Sequence, residues 1–190
     1  MDRARTRLWT APVMLAILVA LAMVTPVSAG APQRDIAAEE LGLSLLNCTR
    51  TGGWVRADGT CKGGGTGMYS AMLPELIRHD GISRKVAFRW ASQLVQADVC
   101  DHVIPGKPIL DARFSSAGFR YSYVGENVGC SWGGASPVEM VLRAHRSMQA
   151  EKGTGGWHWR NMKNRGFKGV GIGVATLGSM TTIVYDFYGR

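Results

Sequence analysis

The early part of this chain is patterned for helices and its end for strands. In residues 35–47, Ile36, Leu43 and Leu46 supply an apolar surface, Asp35 can cap the first turn, and Glu39 and Glu40 suit a positive helix start. A Gly-rich loop follows over residues 49–67, and residues 72–79 predict a short helix with Pro74 near its start. Ser83 opens a stronger helix, in which Ala87, Trp90, Ala91, Leu94 and Val95 form one stripe at spacings of three and four. Pro105 and Pro108 end whatever follows His102, and residues 111–117 predict another short helix closed by Gly118. Residues 124–132 predict a strand. Ser136-Pro137-Val138-Glu139 combines an N-cap, a proline at the first helical position and the acid of a capping box. That helix should run to about residue 152, where Gly153 stops it. Residues 169–177 and 180–188 predict two strands joined at Gly178-Ser179, as in an antiparallel hairpin. Helices first and strands late argue a layered α+β domain, not an alternating parallel sheet.

Composition changes this picture mainly at the N-terminus. With 190 residues, 46% apolar and 19% charged, the chain is a folded globular one, which excludes disordered, collagenous and multi-span membrane classes. Arg3, Arg5 and Arg7 precede an unbroken apolar run over residues 13–24, and Val27-Ser28-Ala29 follows. This is the layout of a secretory signal peptide cleaved after Ala29, and the run is short for a membrane span. A single domain over residues 30–190 remains. Removing three Arg and one Asp leaves 19 Lys+Arg (22 − 3) against 13 Asp+Glu (14 − 1), a net charge of +6. Such a surface attracts acidic partners, but the charges are scattered, and nucleic acid is a poor partner for an exported protein.

All four cysteines, Cys48, Cys61, Cys100 and Cys130, lie in this mature region. An even count in an exported chain predicts two disulfides, with three pairings possible. Cys48 and Cys61 flank a Gly-rich loop that can fold back on itself. No C-x-x-C pair exists to suggest zinc.

Candidate chemistry is sparse. The serine-hydrolase elbow, the H-E-x-x-H zinc helix and the Walker loop are absent, and Gly63-Gly64-Gly65-Thr66-Gly67 lacks the Lys-Ser/Thr of a phosphate loop. Four histidines remain, and spacing alone does not select among them. His145 reads as structural or exposed, His79 as solvated, and Trp157 and Trp159 as packing residues or an apolar wall beside His158.

Three neighbourhoods single out two of them. They are Asp101-His102 at the end of the amphipathic helix, Gly125-Glu126-Asn127-Val128, and His158-Trp159-Arg160-Asn161-Met162 ahead of Gly169-Val170-Gly171-Ile172-Gly173. With Leu45-Leu46-Asn47 and Arg50, Arg113-Phe114 and Ala117-Gly118-Phe119, the set resembles the CAP superfamily (SCP domain), shared by cysteine-rich secretory, antigen 5 and plant pathogenesis-related proteins. The resemblance covers roughly residues 40–189. It implies a three-layer α-β-α sandwich with a central antiparallel sheet, and a cleft where two His and two acids converge. Carried over by motif, these are His102, Glu126 and His158, with Ser147 where the second acid falls.

Two imidazoles suit Zn²⁺, Cu²⁺ or Ni²⁺. Two His and Glu126 without a second carboxylate imply weak metal binding at best, and the alternative is a polar network in which Glu126 orients an imidazole. If His102 and Glu126 meet, their segments run close, and Cys100 pairs with Cys130, leaving Cys48 with Cys61. The resemblance implies a secreted or envelope-located monomer, more a binding module for a lipid, sterol or envelope component than an enzyme. The alternative is a metal-assisted hydrolase of peptide, glycan or ester bonds with Glu126 as its base. A further expectation is a scaffold that recognises partners through the loop carrying Trp54.

Overall fold

The structure is a computed structural model describing residues 30–189, so the predicted leader, residues 1–29, lies outside the described residues. The elements in chain order are β1 (Gln33–Arg34), α1 (Ile36–Arg50), β2 (Trp54–Val55), β3 (Cys61–Lys62), β4 (Ile77–Arg78) and α2 (Asp80–Ile82). A π-turn (Ser83–Ala87), α3 (Phe88–Ala97), α4 (Leu110–Ser116), β5 (Tyr123–Ser131) and α5 (Pro137–Ala150) follow. A 3-10 turn (Glu151–Gly153), α6 (Trp157–Met162), β6 (Gly169–Leu177) and β7 (Met180–Gly189) complete the set.

The late strands make the sheet. Gly178, at φ 59°, turns β6 into β7, and β5 pairs antiparallel with β7 along its whole length. The order is β1-β6-β7-β5, with β4 joining β6 in parallel, a short departure from a wholly antiparallel sheet. Successive side chains point to opposite faces of a strand. Val170, Ile172, Val174, Ile183, Tyr185 and Phe187 therefore pack against α1, α5 and α6. Val128 and Val184 pack against Trp90, Ala91 and Leu94 of α3, and Tyr188 against Val86 and Phe114. The result is the expected α-β-α sandwich, an α+β domain, in which β5 forms one outer edge of the sheet.

Several local expectations fail for tertiary reasons. Residues 72–79 are not helical. Asn47 of α1 grips Leu76 from both sides, accepting from its N–H at 2.9 Å and donating to its carbonyl at 3.2 Å, and the chain runs on as β4. His79 is not solvated: its Nδ1 accepts from Ile82 N–H at 3.3 Å and its ring meets Phe119 and Tyr188 edge-on, so the helical run starts at Asp80 and not Ser83. The run ends at Ala97, where Asp98 takes a left-handed φ of 52°, and His102 lies beyond it in a loop. Ser136 caps α5 as expected, but Glu139 pairs with Arg143 and does not return to the cap. His145 is wholly buried with Nε2 on Thr49 Oγ, and burial drives its pKa down to about 3.

Both disulfides are present, Cys48–Cys61 and Cys100–Cys130, with Cα separations of 5.8 and 5.9 Å. The first closes the loop holding the β2–β3 hairpin. The second ties the loop after α3 to β5.

Two contacts set the spacing of the layers. Gly173 and Gly171 let the helical run touch β6 backbone to backbone. A Cβ on Gly173 would sit 2.2 Å from Phe88 N and 2.4 Å from Ala87 C, and one on Gly171 would sit 2.4 Å from Ile82 Cγ2. The other contact is Arg50, which is fully buried without a carboxylate. Its Nε donates to Pro74 O at 2.7 Å, Nη1 to Met162 O and Asn164 O, and Nη2 to Phe167 O at 2.9 Å. Beside it, Lys163 Nζ donates to the carbonyls of Thr49, Arg50 and Ala71, and burial with the charge of Arg50 lowers its pKa to about 8.

Gly173→Ala should destabilise the fold by about 3 kcal/mol, because the clash is with backbone that cannot turn aside. Gly153→Ala, which meets nothing within 4 Å, is the matched control and should be near neutral in urea unfolding. Arg50→Met should lower unfolding free energy by about 3 kcal/mol or more, since it leaves several buried carbonyls unpaired; a loss below about 1 kcal/mol would show that the carbonyls find other donors.

Candidate functional site

The site is built on the outer strand β5, where the pleat sends consecutive residues to opposite layers. Glu126 faces the layer of α3 and α4. Its Oε1 meets His102 Nδ1 at 2.7 Å, and its Oε2 accepts from Arg113 Nη2 at 2.6 Å. Asn127 faces the other layer, where its amide donates to His158 O at 3.0 Å. Asn161 closes this link by donating to Asn127 Oδ1 at 2.9 Å and to Glu126 O at 3.0 Å. Gly125 precedes them because a Cβ there would lie 2.6 Å from Phe167 Cζ.

His158 sits on α6, whose short helix begins after Gly156. Its ring centroid lies 6.5 Å from that of His102. The structure thus brings together His102, Glu126 and His158. Ser147 is exposed on α5 and takes no part. The second acid is Glu151, in the 3-10 turn after α5. Its Oε1 meets His158 Nδ1 at 2.5 Å and its Oε2 accepts from the His158 backbone N–H at 3.0 Å. Reading by motif missed Glu151. One signal was available: it is the single carboxylate between Glu139 and Asp186.

Each imidazole therefore has one nitrogen on a carboxylate and presents the other, Nε2, away from it. Such a partner fixes ring orientation and makes the free nitrogen a better ligand. The hydrogen bond that His102 donates to Glu126, opposed by partial burial, raises the pKa of His102 above its ordinary value. Beneath Glu126, its cross-strand partner Asp186 is fully buried. Burial first, and then the charge of Glu126, push the Asp186 carboxyl well above the carboxylate range. Neither of its oxygens has a hydrogen-bond partner, so burial favours its neutral form. Arg113 completes the cluster with its guanidinium 3.9 Å above the Trp90 ring.

Tested against a metal, the donor set fits in part. Two imidazole Nε2 atoms suit Zn²⁺ or another late first-row ion. Both oxygens of Glu126 are already committed, to His102 and Arg113. Among the described residues, no group of three or more His, Cys, Asp or Glu is disposed to hold an ion. Likewise, no helix among the described residues is long and apolar enough to cross a membrane. Trp54 is half-buried against Tyr69, a poor start for a recognition loop.

No family model matches the chain, and no curated protein matches it either. Solved structures do. NaASP2, crystallised with Zn²⁺, superposes with a TM-score of 0.54 at 15% identity, covering 83% of each chain. An extracellular SCP-domain protein from Bacillus anthracis str. Ames gives 0.49 at 19% identity over 62% of this chain. This chain spans 35% of the length of that protein. The CAP domain of Enterococcal PrgA gives 0.45 at 16% identity, over 80% of this chain and 62% of that one. The sandwich, the order of its strands and the likeness to NaASP2 together show the α-β-α fold that the CAP resemblance implies.

Proposed function

We propose that this is an exported, monomeric binding module for a lipid, sterol or other envelope component, not an enzyme. In this reading residues 1–29 are removed as a leader, and the single domain acts outside the cell or in its envelope. The observation that carries the reading is the exposure of the large apolar residues that adjoin the two imidazoles in sequence. Trp157, next to His158, is 75% exposed, and Val103, next to His102, is 52% exposed. Large exposed apolar side chains next in sequence to a polar centre suit a ligand with an apolar body and a polar head. Glu126, with both oxygens engaged, is a poor general base, which also favours binding over hydrolysis. The two disulfides suit an oxidising compartment, and nucleic acid is not among the expected partners.

His102 and His158 would hold a divalent ion such as Zn²⁺, weakly, through Nε2, as the Zn²⁺ reported with NaASP2 suggests. A bound ion there would supply a Lewis acid, which holding an apolar ligand does not require. The chain's own part is orientation: Glu126 and Glu151 hold the rings, and Arg113 holds Glu126.

A fluorescent sterol analogue and a fluorescent fatty acid, each titrated into the purified protein, test the reading. At least one should bind saturably, Trp157→Ser with Val103→Ser should weaken it about tenfold, and chelator should leave it unchanged. Ester or peptide turnover that disappears in Glu126→Gln, with no binding of either probe, would make the protein a hydrolase instead.

Proton handling at His102 gives a second test. Its imidazole signal should titrate above the ordinary 6.5, and Glu126→Gln should bring the midpoint down. A raised folded pKa contributes stability that is complete below about 6.5 and fades as pH rises through the folded value. Zn²⁺ competes with that proton, so calorimetry should find its affinity rising with pH over the same window.

A further inference from the structure

Arg113 faces two environments. Its Nη2 serves Glu126, but its Nε and Nη1 are buried with no hydrogen-bond partner. Trp90 Nε1 and Gln93 Oε1 are buried and unpartnered as well. These three residues line one cavity of about 120 Å³. Its other lining residues include Lys85 and Arg89, which with Gln93 recur every fourth residue along the helical run, and Ser116 of α4.

The chemistry of the lining is one-sided. Three cations, Lys85, Arg89 and Arg113, face the cavity, and no acidic residue lines it. Lys85 and Arg89 stand four residues apart on one helical face, where like charges repel. Arg113 is nine-tenths buried and Trp90 wholly so, so their idle N–H groups are costly unless something accepts from them. Gln93 can turn its amide nitrogen inward and add a donor. By the ~30 Å³ share of a water molecule, the space holds about four waters or one tetrahedral oxyanion.

We propose that this cavity is a binding site for a phosphate group, distinct from the imidazole site, with which it shares Arg113. Arg113 and Trp90 donate from its floor, and Lys85 and Arg89 supply charge at its mouth. The phosphate is either free or the terminal group of a larger envelope phosphoester. Because Arg113 also holds Glu126, the occupied site would sit one residue from the carboxylate that orients His102.

Inorganic phosphate titrated into the protein at fixed ionic strength, followed by the Trp90 indole N–H resonance, is the test. A saturable shift with a millimolar or tighter dissociation constant is expected. Lys85→Gln with Arg89→Gln, both surface changes, should weaken it about tenfold or more with the fold intact by circular dichroism. Trp90→Phe identifies the resonance. Glycerol phosphate in place of inorganic phosphate separates the two sources: equal affinity means the site takes a terminal group on a larger molecule, and weaker binding means it takes the free ion. No saturable shift, an equal shift with chloride, or full binding in the double variant would overturn the proposal.

Discussion

The pleat of a single outer strand is the constraint from which the site follows. Glu126 and Asn127 are neighbours in sequence, yet β5 turns one toward α3 and α4 and the other toward α5 and α6. Because β5 lies at an edge of the sheet, both helical layers come to its rim, and residues fastened to either face can meet there. His102 arrives by way of Glu126. His158 arrives by way of Asn127, whose amide holds the carbonyl of that same histidine. A slip of one residue in the pairing of β5 with β7 would exchange the two faces and take the imidazoles apart. The register is anchored along nine paired positions, and Cys130 carries a disulfide near the far end.

The two imidazole–carboxylate pairs are alike in form and different in setting. Glu151 is part-exposed, and its carboxylate hydrogen-bonds His158 alone, at both its ring and its backbone. Glu126 is 4% exposed and divides its oxygens between an imidazole and a guanidinium, above the buried Asp186. Two buried acids and a buried Arg, with His102 half-exposed at their edge, favour a fixed arrangement over an easily moved proton. That suits a site that orients a ligand better than one that shuttles protons through Glu126.

Much of this was legible in the sequence where a residue's role is set by backbone position. Gly125-Glu126-Asn127, the Gly169, Gly171 and Gly173 series and the Ser136-Pro137 helix start all depend on local geometry, so short motifs carry them. Contacts between distant side chains were not legible. Residues 72–79 have apolar residues at helical spacing, but one Asn47 side chain holds Leu76 extended. His79 reads as a solvated residue beside a turn until Phe119 and Tyr188 are folded against it. Glu151 escaped because the motif directs attention to Ser147, four residues earlier, and only the turn after α5 brings a carboxylate onto His158. The proline-free helix α6 was too short, at six residues, to leave a periodic signal.

Arg50 has a consequence for the order in which the molecule can be made. The carbonyls it binds lie as far on as Phe167, 117 residues later, and Gln33 at the start of the described chain pairs with Thr176. A chain emerging from its N-terminus can form α1 early, but the helix has no seat until β6 has followed it. Contacts between such distant segments carry a large loop-closure entropy and make folding slow. The wiring therefore holds back the tertiary structure until nearly all of the polypeptide has been synthesised. A chain so delayed stays open along most of its length while it is being made.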